Sequence, residues 1–346
     1  MNSAAHSRFA TVVPDVVFCA TGKSGLGHLR RVTNVVAALR QMRPDLFVGL
    51  ISNAEISGLS QEEQVGFSYI GQTAREQMAT HLKELSSGPV VVDTAVLPGL
   101  ETLDVPLCLI LRETVEERLG DFRLPNGREW DLVCVPNPAD HWLPDGTKIG
   151  AKRIEAVGWI FRQTAAAFNA AQSYPAFGTR RILVASGGGG NRDSAARLKS
   201  EMEVLFQLVR QQCPFPIHVA QVVGPRLTDD GALLKVDEWI NAGSRLNDLF
   251  SQFDLVISTA GYNSVLELAG LQVPVLLMPI TRSLDDQTAR SSRWADVMGM
   301  AHVEGKARQS AQWIAQTLEH RTRRPPVKLD TGGSARCASL ILELMQ

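Results

Sequence analysis

The stretch Phe253-Asp-Leu-Val-Ile-Ser-Thr-Ala-Gly-Tyr-Asn-Ser-Val-Leu-Glu-Leu-Ala-Gly-Leu-Gln-Val-Pro274 decides the fold class of this chain. An apolar run of strand length leads into Ser-Thr-Ala-Gly, and a helical pattern begins at once. A continuously apolar strand is typical of a parallel sheet that is covered on both faces. A helix that starts directly after such a strand presents free N–H groups at the carboxyl edge of the sheet, where an anion can bind.

The same alternation of apolar runs and helical patterns continues along the whole chain. In the first half the predicted strands are residues 15–20, 46–52, 90–93, 106–111 and 132–135. In the second half they are residues 181–185, 217–223, 255–258 and 275–278. Predicted helices cover residues 28–42, 75–85, 192–211, 262–269, 286–298, 310–320 and 335–345. Each half opens with a strand, a glycine-rich turn and a helix, so we expect an α/β protein with two doubly wound, Rossmann-like domains that face a cleft.

The expected domain boundaries follow from the points where this pattern stops and restarts. We expect an N-terminal domain over residues 1–165 and a C-terminal domain over residues 180–330. The Ala-rich segment 166–179, which includes Tyr-Pro-Ala-Phe-Gly, is expected to be the linker. Residues 331–346 are expected to form a final helix that packs back on the N-terminal domain.

Composition places the chain among ordinary globular proteins. Its 346 residues carry a formal net charge of -1, so no global basic field favours nucleic-acid binding. Its five cysteines form no C-x-x-C pair, and three of them lie in apolar runs, as buried reduced thiols do. No signal-peptide core and no apolar run of about 20 residues stands out. We expect a cytoplasmic protein whose membrane contact is peripheral at most.

The N-terminal turn reads Ala20-Thr-Gly-Lys-Ser-Gly-Leu-Gly-His-Leu-Arg-Arg31. It is not a Walker A motif, because that motif needs a glycine where Val17 stands, and its G-x-x-G-x-G order is not the dinucleotide fingerprint. Gly25 and Gly27 are candidate contacts to a phosphate or an acceptor. His28 is expected at the carboxyl edge of the first strand, where a neutral imidazole can act as a general base. A histidine that only caps the helix fits the pattern equally well.

The second turn carries four consecutive glycines. The residues are Gly187, Gly188, Gly189, Gly190 and Asn191. Such a run costs much conformational entropy for a simple turn, so a closely approaching anion such as a diphosphate explains it better.

The C-terminal half offers further candidate ligand contacts. They are Gly261, Tyr262, Asn263, Glu267, Asp286 and Gln287. A carboxylate at position 267 can accept hydrogen bonds from both ribose hydroxyls, or it is a solvated helix residue. Adjacent Asp286 and Gln287 can bind neighbouring hexose hydroxyls, whereas helix capping by Asp285 also explains an acidic residue here.

These C-terminal segments resemble the nucleotide-sugar domain of family 28 glycosyltransferases, and in particular the peptidoglycan N-acetylglucosaminyltransferases. The resemblance covers about residues 180–303 and implies a GT-B fold. It implies that glycines 187–190 and residues 261–263 hold the diphosphate of a nucleotide-sugar donor. It also implies that Glu267 binds the ribose and that Asp286 and Gln287 bind the sugar. The donor is expected to be a UDP-sugar, and the partner substrate is a hydroxyl acceptor bound by the N-terminal domain.

The N-terminal Gly25-Leu-Gly-His-Leu-Arg-Arg31 segment resembles predicted glycosyltransferases and the nucleotide-sugar hydrolase of pseudaminic acid synthesis. His28 matches the family's N-terminal histidine near the acceptor. Two departures from the peptidoglycan enzymes leave the acceptor open: the loop reads Gly-Gly-Gly-Gly-Asn, and the Gly-Gly-Thr start is missing.

The resemblance implies an inverting transfer by a hexosyltransferase-type enzyme. Glycine amides and helix N-termini can stabilise the leaving diphosphate in place of a cation. No D-x-D motif follows a suitable strand, so we expect neither a metal nor another cofactor. Arg112 is expected at the cleft edge, where it contacts phosphate or acceptor, or pairs at the surface with Glu113 or Glu116. Two alternatives to the transferase remain: a nucleotide-sugar hydrolase in which His28 activates water, and a non-catalytic donor-binding subunit.

Overall fold

The structure is a computed structural model. It describes residues 13–22, 27–54, 56, 59, 61–64, 67–85, 87–161, 178–186, 192–223, 234–241, 249–282 and 284–346. The chain divides into two compact units. Unit 1 comprises Met1–Arg162 and Asp330–Gln346, and unit 2 comprises Gln163–Leu329.

Unit 1 is built on a parallel seven-stranded sheet in the order β3-β2-β1-β4-β5-β6-β7. Its strands are β1 (Val16–Ala20), β2 (Val48–Ser52), β3 (Ser68–Gln72), β4 (Val90–Asp93), β5 (Leu107–Ile110), β6 (Leu132–Val135) and β7 (Ile154–Ala156). Its described helices are α1 (Gly27–Met42), α2 (Gln61–Gln64), α3 (Arg75–Leu85), α4 (Gly146–Ile149) and, after unit 2, α9 (Gly333–Glu343), with 3-10 turns at Leu100–Thr102, Glu116–Phe122 and Pro125–Gly127.

Unit 2 is built on a parallel six-stranded sheet in the order β10-β9-β8-β11-β12-β13. Its strands are β8 (Arg180–Ala185), β9 (Ile217–Val222), β10 (Glu238–Ile240), β11 (Leu255–Ser258), β12 (Val275–Leu277) and β13 (Gly299–Ala301). Its described helices are α5 (Arg192–Gln212), α6 (Tyr262–Ala269), α7 (Gln287–Met298) and α8 (Ala307–Glu319). Both units therefore have the doubly wound α/β architecture that the sequence predicts.

The four strands that the sequence analysis did not predict are β3, β7, β10 and β13, and they are the four edge strands of the two sheets. The central strands β1, β2, β4, β5 and β6 are buried at every residue. In contrast, β7, β10 and β13 have no buried residue. An edge strand lacks one neighbour and part of its cover, so its sequence lacks the continuous apolar run that marks a central strand.

The final helix α9 packs in unit 1 against α1. Cys337, Ala338 and Ile341 are buried in the same hydrophobic cluster as the buried face of α1. The helix begins at Gly333, where a Cβ atom would lie 2.4 Å from the carbonyl oxygens of Gly158 and Trp159. A residue with a side chain would therefore push the start of α9 away from the strand-following segment beneath it.

A buried arginine fixes the end of the helix that follows β11 in unit 2. Arg324 donates to the carbonyl oxygens of Leu268 and Ala269, at the end of α6, and to that of Val273. Burial lowers the pKa of Arg324 to about 10. A cation at a helix C-terminus is favourable, because the last carbonyl groups there are otherwise unpaired and carry partial negative charge.

Two further expectations concern cysteines and membrane segments. All five cysteines are free thiols, and four of them are buried. Among the described helices, none is long and apolar enough to span a membrane.

Candidate functional site

A buried carboxylate lies at the carboxyl edge of the unit 1 sheet, in contact with a histidine and an arginine. Asp93 ends β4, beside Ala20 at the end of β1, and its side chain is fully buried. His28 Nδ1 lies 2.6 Å from Asp93 Oδ2. Arg31 donates from Nε to Oδ1 at 2.7 Å and from Nη2 to Oδ2 at 2.8 Å. Both partners are on α1, one turn apart, so one helix places both nitrogens against one carboxylate.

Asp93 is ionised in this arrangement. Burial by itself raises the pKa of Asp93, but the charge of Arg31 and the hydrogen bonds from His28 and Arg31 outweigh burial and hold that pKa below its ordinary value of 3.8. An ionised carboxylate is only an acceptor. His28 must therefore donate its Nδ1–H to Asp93, and in the neutral ring the lone pair is then on Nε2.

The imidazole of His28 is partly accessible, with 26% of its side chain exposed, whereas Asp93 and Arg31 are 0% and 2% exposed. A partly exposed imidazole that is neutral and donates from Nδ1 can accept a proton at Nε2 from a bound hydroxyl or water. Asp93, the carboxylate that orients this ring, is shielded from solvent. This is the arrangement in which a carboxylate holds a histidine base in its working orientation.

Neighbouring loops fix the start of the glycine-rich turn and the residue after Asp93. Asn53, which follows β2, accepts at Oδ1 from the Gly22 amide at 2.8 Å. Thr94 has a φ of 48°, in the left-handed region, where a side chain costs roughly 1–2 kcal/mol. Its hydroxyl and amide both donate to the Ile110 carbonyl oxygen, at 3.1 and 2.8 Å. Such strained residues cluster at functional sites, and this one directly follows the buried carboxylate.

Arg112 lies two residues beyond β5, whose last residue, Ile110, pairs in register with Asp93. It is half-buried, on the same sheet edge as His28. Of the two surface partners considered for it, Glu116 forms an ion pair with Lys148 at 2.5 Å and Glu113 is buried.

In unit 2, α6 begins directly after β11, as the opening stretch predicts. Gly261 occupies the position before its first turn, with φ -65° and ψ 146°. Tyr262 is buried, whereas Asn263 and Glu267 are half-buried. Gly261 itself has no side chain with which to cap the helix. Ser258 at the end of β11 lies beside Ala185 at the end of β8, so the strand that leads to the glycine run ends at the same sheet edge.

The loop after β12 is braced from within by a polar network. Arg290, which is 2% exposed, donates from Nη1 to the Ala260 carbonyl oxygen at 2.9 Å and to Asp285 Oδ1 at 2.8 Å. Gln287 Nε2 donates to Asp285 Oδ2 at 3.0 Å, and Gln287 Oε1 accepts from the Ile280 amide at 3.2 Å. The network joins the loop after β12 to Ala260, two residues before the start of α6.

Asp286 caps α7, because its Oδ1 accepts from the Ala289 amide at 2.9 Å. The capping that the sequence analysis assigned to Asp285 therefore belongs to Asp286, and Asp285 instead pairs with Arg290. Gln287 is buried. Their assignment to a hexose stays a prediction, as does that of Glu267 to a ribose.

Several predicted contacts lie outside the described residues. They are Gly25 and the run Gly187, Gly188, Gly189, Gly190 and Asn191. Gly27 is described and is the first residue of α1. Within the described part of the chain, no group of three or more His, Cys, Asp or Glu side chains is arranged to hold a metal ion.

Sequence reasoning missed Asp93 and Arg31. The available signal for Asp93 was a carboxylate at the last position of a predicted buried strand, because a charge rarely ends such a strand unless it is paired. Arg31 stands one helical turn after His28, in the same segment, but its partner lies 62 residues away in the chain.

Comparison with curated proteins finds similarities that cover only part of the chain. No family model matches the chain. The UDP-N-acetylglucosamine--N-acetylmuramyl-(pentapeptide) pyrophosphoryl-undecaprenol N-acetylglucosamine transferase of Bordetella pertussis is 34% identical over 76 residues, 22% of this chain and 21% of that protein. The protein of the same name from Clostridium botulinum is 25% identical over 209 residues, 59% of this chain and 49% of that protein. The chain thus matches half or less of the length of these relatives.

Solved structures resemble the chain over nearly its whole length. The Acinetobacter baumannii MurG structure has a TM-score of 0.58 at 15% identity, covering 95% of this chain and 100% of that chain. The glycotransferase of kitacinnamycin has a TM-score of 0.59 at 14% identity, covering 96% and 99%. Spinosyn rhamnosyltransferase SpnG complexed with thymidine diphosphate has a TM-score of 0.54 at 16% identity, covering 95% of both. The chain therefore has the two-domain GT-B fold.

The buried carboxylate generates a stability prediction. Asp93→Asn leaves the buried Arg31 guanidinium without its counter-charge, so we expect the free energy of unfolding to fall by about 3–5 kcal/mol near neutral pH. Because the folded pKa of Asp93 is depressed, the stabilisation is present above pH 3.8 and is lost as the pH falls through the folded pKa. Urea unfolding at neutral and acidic pH measures both effects.

Asp45→Asn is the matched control. Asp45 pairs with Arg43 through the same Nε and Nη2 atoms, but this carboxylate is 64% exposed. Exposed pairs contribute little, so this variant should unfold as the wild type does. Equal stability of Asp93→Asn and wild type would show that Asp93 does not carry the charge assigned to it.

Proposed function

We propose that this chain is a metal-independent, inverting glycosyltransferase that moves a sugar from a nucleotide-sugar donor, a UDP-sugar in the first instance, to a hydroxyl acceptor. Unit 2 binds the donor, and unit 1 supplies the general base. The observation that carries the proposal is the 2.6 Å contact between His28 Nδ1 and the buried Asp93 carboxylate, on a GT-B fold. A histidine oriented in this way and partly exposed is equipped to take a proton from a hydroxyl group.

The proposed donor site rests on unit 2. The first turn of α6 follows closely after β11 and Gly261, and a helix N-terminus favours an anion such as a diphosphate. The similarity to enzymes named for UDP-N-acetylglucosamine, and to a fold whose solved relatives include nucleotide complexes, supports a nucleotide-sugar as the ligand.

In the proposed reaction the acceptor oxygen attacks the anomeric carbon from the side opposite the diphosphate. The new C–O bond forms as the bond to the diphosphate breaks, and the diphosphate leaves with the electron pair. His28 Nε2 takes the proton of the attacking hydroxyl, and Asp93 stabilises the imidazolium that results. Backbone N–H groups stabilise the charge of the leaving diphosphate, which is the reason for expecting activity without a metal.

The decisive experiment measures release of nucleoside diphosphate and of free sugar from a panel of nucleotide sugars, in EDTA, with and without a panel of hydroxyl acceptors. A transferase releases diphosphate when an acceptor is present and forms a glycoside. Free sugar at the same rate without acceptor identifies a hydrolase, in which water takes the acceptor's place. Binding without turnover across both panels identifies a non-catalytic donor-binding protein.

Glu267→Ala should weaken UDP binding while leaving the fold intact. If the carboxylate accepts hydrogen bonds from ribose hydroxyls, its loss costs about 1.5–3 kcal/mol of affinity. Calorimetric titration with UDP measures the change. Glu203→Ala, at an exposed position of α5, is the control and should bind UDP as the wild type does. Unchanged affinity in Glu267→Ala would make Glu267 an ordinary helix residue.

His28→Ala should reduce turnover far more than donor binding. A general base contributes about 10²–10⁴-fold in rate, so we expect kcat to fall at least about 100-fold. The affinity for UDP should change little, because the proposed donor contacts lie in unit 2. The exposed His320 supplies the control variant, His320→Ala, with normal turnover expected. Near-normal turnover in His28→Ala would reduce His28 to a structural residue, and a collapse of UDP affinity would place it in the donor site.

A further inference from the structure

The guanidinium of Arg31 faces the same carboxylate that orients His28. Arg31 is 2% exposed and holds both oxygens of Asp93 through Nε and Nη2. Its Nη2 also lies 3.4 Å from the hydroxyl of Thr94. Oδ2 of Asp93 is shared, since it accepts from Arg31 at 2.8 Å and contacts His28 at 2.6 Å. Any change in the charge of Arg31 therefore changes the electrostatic potential at the His28 imidazole.

A buried carboxylate is stable as an ion only when positive charge or donors compensate it. Here Arg31 supplies a full, permanent positive charge, because a guanidinium does not lose its proton in proteins. The imidazole is then not needed as a counter-ion and can stay neutral. Without Arg31, the site has one positive charge fewer, and the nearest groups that can take up a proton in compensation are His28 and Asp93 themselves.

A proton taken up on the ring, or on the carboxyl oxygen that faces the ring, fills Nε2. If His28 gains the proton, it becomes an imidazolium with N–H groups at both ring nitrogens. If Asp93 gains it on Oδ2, the oxygen in contact with His28, the acid donates to Nδ1, and the neutral imidazole then carries its hydrogen on Nε2. In these two cases the lone pair that would accept a proton from the hydroxyl is lost.

We propose that Arg31 is a positioning residue of the proposed reaction: it supplies the charge that keeps His28 neutral, with hydrogen on Nδ1 and a bare Nε2. The kinetic part of this inference rests on the proposed function, whereas the protonation state of His28 is a property of the protein alone. Arg31 acts through Asp93 and touches neither donor nor acceptor.

The direct test is nitrogen-15 NMR of the imidazole rings in the full chain, labelled at its seven histidines, near neutral pH. His28→Asn identifies the His28 signals by their loss. In the wild type we expect a protonated Nδ1 and an unprotonated Nε2. In Arg31→Gln we expect Nε2 to be protonated. Arg31→Lys retains the charge and should keep Nε2 largely bare, even though its single nitrogen cannot reproduce the two-pronged contact.

Arg40→Gln is the matched control. Arg40 lies on the same helix, and its guanidinium donates to the Leu46 carbonyl oxygen, far along α1 from Asp93. Its loss should leave the His28 signals unchanged. A wild-type His28 with its hydrogen on Nε2 would overturn the inference without any Arg31 variant. A bare Nε2 in folded Arg31→Gln would overturn it as well.

The kinetic arm separates this inference from the proposed function. If the wild type turns over a nucleotide sugar, Arg31→Gln should lower kcat by at least about tenfold, and by no more than the about 10²–10⁴-fold that a general base contributes. UDP affinity should be unchanged, and Arg31→Lys should recover part of kcat. Unchanged kcat in Arg31→Gln would contradict the role of Arg31. An inactive wild type with the expected NMR signals would instead contradict only the proposed function.

Discussion

The ionised carboxylate of Asp93 is the constraint on which the candidate site depends. It is fully buried at the end of β4, where an unpaired charge would be strongly unfavourable, and α1 supplies both groups that compensate it. The same contacts that make the buried charge tolerable also fix the His28 ring. One electrostatic requirement thus connects the packing of α1 on the sheet to the orientation of the candidate base.

The parallel sheet explains why residues that are distant in sequence meet at this point. β1 lies between β2 and β4, so the turn after β1 is flanked by Asn53 after β2 and by Asp93 at the end of β4. All three strands end at the same edge. The hydrogen bond from Gly22 to Asn53 and the two hydrogen bonds from Thr94 to the Ile110 carbonyl oxygen hold the two flanking loops in place.

Sequence patterns predicted the central strands of both sheets but none of the edge strands. A strand buried on both faces, such as β1 or β4, has a continuous apolar sequence, and this pattern identifies the strand from the sequence alone. β10, with Glu238 and Trp239 exposed, has no such run and cannot be told from a loop by its composition. Strand length adds to the difficulty, because β7, β10 and β13 are three residues each.

Within the site, sequence reasoning found the residues that local motifs mark and missed those that need tertiary pairing. His28 follows a strand and a glycine-rich turn, a pattern confined to about ten residues. Its contact with Asp93 spans 65 residues and exists only because β1 and β4 are neighbours. The role of Asp285 was also misjudged, since only the fold brings Arg290 to its carboxylate and leaves the capping of α7 to Asp286.

The central claim is that Asp93 acts through His28, and a double-mutant cycle on kcat tests it most directly. The cycle compares His28→Ala, Asp93→Asn and the double variant with the wild type, below the unfolding temperature of the least stable protein. Residues that act as one unit give losses that do not multiply. The account predicts that the double variant loses no more turnover than His28→Ala alone. Losses that multiply, with the double variant slower by the product of the two single effects, would contradict it.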